Sequence, residues 1–209
     1  MAFGATVQSV QGTNTSGEGT ATLPAGATAG NLLIFAIGRS SGFGASPAWG
    51  TPTDFSDLPQ SPLTGANMAG AFWYKIATGG ETTVTTISTS EAGNWCAALA
   101  EFEGPFAASP LDKTAEDESN VAATDTSQSS GTTAATAQND EVAIAMFASD
   151  NGGEVTDGRA YSNSFAEVIF ATSGARAGCI LAKKVLVATG AVECTFSTTD
   201  TGDEQYGAV

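Results

Sequence analysis

Two short apolar runs constrain this chain more than any other feature. GNLLIFAIG (30–38) puts Leu33, Phe35 and Ile37 on one face, and NDEVAIAMFAS (139–149) does the same for Val142, Ile144 and Met146. Period-two alternation inside a short run bounded by polar turn residues is the pattern of a half-buried strand. Val142 stands 109 positions after Leu33, and the same offset lays AFWYKI (71–76) on ILAKKV (180–185), with Lys75 on Lys184. After two residues of slippage, ATGG (77–80) falls on ATGA (188–191) and NWCAA (94–98) on QYGAV (205–209), so that Trp95 meets Tyr206. The chain therefore reads as an internal duplication, about 5–104 and 114–209, joined by the Pro-containing acidic linker GPFAASPLDKTAEDESN (104–120).

Such a repeat is far longer than the ~20–50 residues of stacked solenoids. Short strands in a half of this size bury more surface together than apart. The expectation is an all-β fold: one jelly-roll-like β-sandwich domain over 1–209, built from two duplicated halves of four or five strands each. Composition agrees, because Thr suits strands and the 25 glycines suit turns.

Charge and missing residue types remove whole classes of function. Seven Lys and Arg against 22 Asp and Glu give a net charge of −15, which repels phosphate backbones and anionic bilayers, so neither nucleic acid nor membrane is expected as a partner. No stretch approaches the ~18 apolar residues of a membrane span. MAFGATVQSVQG lacks the basic start and apolar run of a signal peptide, which points to synthesis in the cytosol. Histidine is absent, which rules out Ser-His-Asp and Cys-His catalysis and His-metal sites. Paired carboxylates remain, as Glu101 with Glu103 or Asp54 with Asp57. Glu101 and Glu103 flank Phe102 on a strand and should share a solvent face, with no apolar pocket to raise either pKa. We expect no enzyme and no cofactor. Cys96, Cys179 and Cys194 have no C-x-x-C spacing and read as buried free thiols.

Contacts are sought in two long Gly- and Ser-rich segments, 39–68 and 150–176, because unstructured loops longer than ~15 residues are usually functional. The first carries Phe43, Trp49 and Phe55, either a sugar-stacking platform or a cap on the open end of the sandwich; the second carries Tyr161. Oxygen-rich turns at Asp150, Asn151 and Glu154, and at Asp200, Asp203 and Glu204, are weak calcium candidates, since neither matches a regular twelve-residue calcium loop and both read first as ordinary solvated turns. Lys75 and Lys184 read as strand-end lysines that discourage edge pairing. The small-residue N-terminus MAFGATVQSVQGTNTSG is a candidate for strand addition to a neighbouring sheet.

Taken together, PAGATAGNLLIFAIG, PAWG, AFWYKIATGGETTVTTISTS and WCAALAEFEG resemble the β-sandwich surface proteins of tailed bacteriophages, which serve as capsid decoration (cement) proteins and as tail appendages. The resemblance runs through nearly the whole chain at the level of fold. It implies a non-enzymatic virion protein made in the host cytoplasm, placed on the capsid surface, forming a homo-oligomer and tying subunits of the major capsid protein together. Carbohydrate-binding modules share the same sandwich look, so a surface glycan or a role as tail adhesin is the alternative.

Overall fold

A computed structural model describes residues 2–15, 18–40, 49–59, 63–64, 68–87, 94–117, 126–149, 157–173, 177–199 and 205–209. Among these the protein is all-β, without a helix. The first half supplies β1 (Thr6–Gln11), β2 (Thr13–Thr15), β3 (Glu18–Thr22), β4 (Leu32–Ser40), β5 (Ser56–Asp57), β6 (Leu63–Thr64), β7 (Met68–Ile76), β8 (Thr83–Ile87) and β9 (Asn94–Phe102). The second supplies β10 (Glu116–Asp117), β11 (Ser127–Ser129), β12 (Glu141–Ser149), β13 (Ala160–Tyr161), β14 (Ala166–Thr172), β15 (Gly178–Leu186), β16 (Thr195–Ser197) and β17 (Gln205–Ala208). Strands β5 and β6 fall within the segment read as the first long loop, and β13 and β14 within the second. The seven-residue β14 is a full member of a sheet, so 150–176 is not one continuous loop.

Each half folds on itself. The first main sheet runs β1-β9-β4-β7-β5, with β6 also on β7, and the second runs β10-β17-β12-β15-β14. Every pairing is antiparallel. A small sheet accompanies each: β2-β3-β8 in the first half and β11-β16-β13 in the second.

The two main sheets pack face to face, and the small sheets cover their outer faces. Along β4, Leu32, Ile34 and Ala36 face the second half, where they meet Met146, Ala148, Cys179 and Leu181. The alternate residues Leu33, Phe35 and Ile37 face the small sheet with Ala21 and Val84. The order is thus small sheet, main sheet, main sheet, small sheet. Phe72 and Phe102, both wholly buried, fill the central layer, each burial stabilising by roughly 1.5–3 kcal/mol. Elsewhere in that layer small residues let the sheets approach closely. A Cβ on Gly38 would lie 2.6 Å from the Gly178 carbonyl oxygen and 3.0 Å from Cys96 Sγ.

This packing revises how the halves align. Phe147 and Ala145 face their own small sheet, whereas Ile144 and Met146 face the other half. In face, therefore, Phe35 corresponds to Ala145 and Ile37 to Phe147, one position beyond the offset read from the sequence. A one-residue slip exchanges the faces of a strand, and here both faces are apolar. Lys75 lies opposite Leu33, and Lys184 opposite Ala143, so these two lysines do match in register and face. Counted from the same pairings, Trp95 matches Gln205 instead of Tyr206, because Arg39 opposes Trp95 and Ser149 opposes Gln205.

The N-terminal segment is not a free arm. Residues 6–11 are the edge strand β1 of their own sheet, and Gly4 N donates to Glu103 O at 2.8 Å. Lys183 Nζ, from the second half, donates to Gly4 O at 2.7 Å. Ser9 Oγ and Gln11 Nε2 reach the Val168 and Thr172 carbonyls on β14, the edge strand of the opposite sheet. All three cysteines are free and buried.

Candidate binding groove between the halves

The linker leaves β9 and runs over the end of the central interface before entering β10. Phe106 N donates to Gly30 O at 3.0 Å, and Phe106 packs on Phe3 with ring centroids 4.8 Å apart. Further on, Ala115 and Val209 exchange two backbone hydrogen bonds of 2.8 and 3.0 Å. Between these anchors the linker roofs a groove of about 310 Å³ whose floor is Leu32 and Ile34 of β4 with Ile144 and Met146 of β12. Both halves and the linker thus contribute to one apolar hollow, at the small end of the ~300–1,000 Å³ typical of ligand sites.

Its rim is charged. Lys113 Nζ stands 2.8 Å from Asp112 Oδ1, and Ala137 N donates to Asp112 Oδ2 at 2.7 Å. The Lys113 bond, followed by the Ala137 amide, holds the Asp112 carboxyl below the usual carboxylate range. Glu141, the first residue of β12, brings its carboxyl into contact with Asp112. Glu141 Oε2 is buried and has no hydrogen-bond partner among the described residues. Two carboxyl groups in hydrogen-bond contact with each other thus stand beside one ammonium at the mouth.

On the other side of Ser109–Leu111 lies a polar hollow of about 590 Å³, which shares Tyr74 with the groove and is bordered by Asp54, Ser56, Lys75 and Thr78. Here the Lys75 ammonium is already engaged, 3.2 Å from Glu81 Oε1 and 3.6 Å from Asp54 Oδ2. Burial alone would raise the Glu81 pKa. The Thr78 amide and hydroxyl and the Gly79 amide outweigh it and bring Glu81 down to about 2.

Of the aromatics picked out in the long segments, Trp49, Phe55 and Tyr161 lie apart from the groove and pack inward. Trp49 stands edge-on to buried Trp95, centroids 4.3 Å apart at 82°. Phe55 meets Phe35 at 6.4 Å, and both Trp49 and Phe55 pack on the core of the first half. Tyr161 sits 5.7 Å from Phe196 in the second half and donates its hydroxyl to Glu167; burial, with that bond, pushes its phenol well up. Phe43 and the turn residues Asp150, Asn151, Glu154, Asp200, Asp203 and Glu204 lie outside the described residues. Among the described residues no group of three Cys, Asp or Glu side chains is placed to hold a metal ion.

The carboxylate pairs do not form pairs. Glu101 is fully buried instead of facing solvent, because β9 is covered on both faces. Asp57 accepts from Trp73 Nε1 at 2.6 Å and from Thr51 Oγ1 at 2.9 Å, while Asp54 turns to Lys75. The groove itself has no local sequence signature, since its walls come from residues more than a hundred positions apart. No protein family, curated protein or solved structure matches this chain.

Proposed function

We propose that this chain is a non-enzymatic structural protein of a virion surface, a capsid decoration (cement) protein that bridges subunits of the major capsid protein as a homo-oligomer. The observation that supports the reading best is the back-to-back packing of the two halves through one shared apolar layer, which stiffens their junction. A brace between capsid subunits requires such stiffness, and an acidic surface of net charge −15 keeps it soluble until it docks. The strand course fits a jelly roll in each half: β1-β9-β4-β7 and β10-β17-β12-β15 in the main sheets, with β3-β8 and β11-β16 beside them. On this reading the halves descend from one duplicated ancestor.

The test is proteomic and structural together. Virions produced by the genome that encodes this chain should contain it in stoichiometric amounts, and particles lacking it should burst at lower temperature. Light scattering of the purified protein should give a defined dimer or trimer, unchanged by chelator. Absence from purified virions overturns the proposal. A second reading, recognition of a surface glycan, draws on Tyr74 standing beside Ser56, Thr78 and Ser109 in the polar hollow. Saturable binding on a glycan array, lost in Tyr74→Ala, would favour it.

A further inference from the structure

We infer that Cys96 and Cys179 form a redox-closable pair, two thiols that become a disulfide across the central layer and staple one half of the molecule to the other. Cys96 lies on β9 of the first half and Cys179 on β15 of the second, and both side chains belong to the layer between the main sheets. Sheets packed face to face ordinarily stand about 10 Å apart. That is too far for a disulfide, whose Cα atoms are usually ~4.4–6.8 Å apart. The spacing is narrower here. A Cβ on Gly38 would come within 2.6 Å of the Gly178 carbonyl oxygen, and the space it would fill is bounded by Cys96 Sγ at 3.0 Å and Cys179 Cβ at 3.3 Å. Gly38 stands opposite Cys96 in the β4–β9 register, and Gly178 precedes Cys179 on β15. The two glycines thus bring the cysteines together, with their thiols near enough to interact directly. Cys194 has no part in the pair, because it lies in the outer core of the second half with Phe147 and Phe196.

The oxidant that suits this pair is a low-molecular-weight disulfide. One protein thiolate attacks it, forming a mixed disulfide and releasing one small thiol. The other protein thiol gives its proton to solvent and attacks the protein sulfur of the mixed disulfide. That step forms the Cys96–Cys179 bond and releases the second small thiol. Two protein thiols lose two electrons and two protons in all, and the small disulfide is reduced to two thiols. Both cysteines are buried in the packed protein, which keeps them neutral and unreactive. Exchange therefore takes place while the layer is open, as the halves dock during folding or in rare later openings. This pair is independent of any docking to a capsid, and it stands or falls without that proposal.

Protein purified under reductant, with its three thiols free, is unfolded and refolded in a mixture of oxidised and reduced glutathione. A second sample is held folded in the same mixture for several days. Each is then denatured, alkylated and digested with trypsin. The major product should have lost two hydrogens, carry one alkyl group on Cys194, and yield peptide 76–113 joined to peptide 177–183. Cys194→Ala should form the same link to the same extent. Dithiothreitol should restore three alkylatable cysteines in the wild type. The cross-linked protein should melt several degrees above the reduced one, because the bond closes a loop of roughly eighty residues. Three alkylated cysteines after both routes, glutathione retained on Cys96 or Cys179, or a link that involves Cys194 overturns the inference. So does a cross-linked form that melts below the reduced one, since the bond would then be forcing the sheets apart.

Discussion

Asn31 and Glu101 are joined by a 2.7 Å hydrogen bond, Nδ2 to Oε1, at a site where both residues are buried. The same carboxylate accepts from the Thr28 amide at 2.8 Å and from Gln8 Nε2, while Asn31 Oδ1 accepts from the Gly104 amide at 2.8 Å. Two segments, β1 through Gln8 and the turn through Thr28 and Asn31, therefore converge on one acidic side chain of β9. Glu101→Gln should destabilise the protein by about 2–3 kcal/mol, because an amide NH₂ would replace one of the two buried oxygens that accept these hydrogen bonds and would face a donor. Urea unfolding followed by fluorescence measures this; a change under about 0.5 kcal/mol would mean the donors find other acceptors.

Gly38 lies where the two main sheets approach closely. Gly38→Ala should cost about 1–3 kcal/mol by overpacking, since its Cβ would press on the Gly178 backbone. Gly190→Ala, where a Cβ meets nothing within 4 Å, is the control and should stay within about 0.5 kcal/mol of wild type. Thermal melts of the two variants side by side would decide it.

Acid should weaken the turn that follows β7. Glu81 is depressed from 4.5 to about 2 in the folded protein, so its contribution is present above the unfolded value and is lost as pH falls from about 4.5 toward about 2. Solvent screening limits the size to about 1 kcal/mol. Glu81→Gln should flatten the stability profile across that window and leave it unchanged in shape above pH 6.

The thiols should be silent. Burial pushes Cys194 up to about 12 and Cys179 well above its ordinary value, the latter reinforced by a hydrogen bond with Cys96. A thiol-specific chromogenic reagent at pH 8 should find none of the three cysteines in the native protein and all three in denaturant. Rapid labelling of even one native thiol would contradict the burial.

Much of the fold was legible, and what was missed has one physical cause. Alternation in 30–38 and 139–149 marked β4 and β12 correctly as strands. Their phase was not readable, because a sheet packed on both sides has no polar face to set it: Leu33 and Ile34 are both buried, on opposite sides of β4. The same cause hid Glu101, whose polar character suggested solvent although its partners lie in a turn seventy residues upstream. Strand β14 escaped notice because AEVIFAT is embedded among turn residues and carries little alternation. The groove could not be seen at all from local pattern, since Ile34 and Ile144 become neighbours only when two separately folded sheets meet.

The four-layer arrangement has a consequence for how this molecule can touch anything else. Each main sheet has spent both of its broad sides, one on its twin and one on its own small sheet, like a book closed between two covers. Among the described residues, what stays accessible is the outer side of the small sheet in the first half, as at Thr22, Thr83 and Thr85, together with the perimeter: turns such as that at Val187, 82% exposed, the two-residue margin strands β5 and β10, and the opening beneath the linker. A partner would grip the molecule by a cover or a corner and leave the interior of the stack undisturbed.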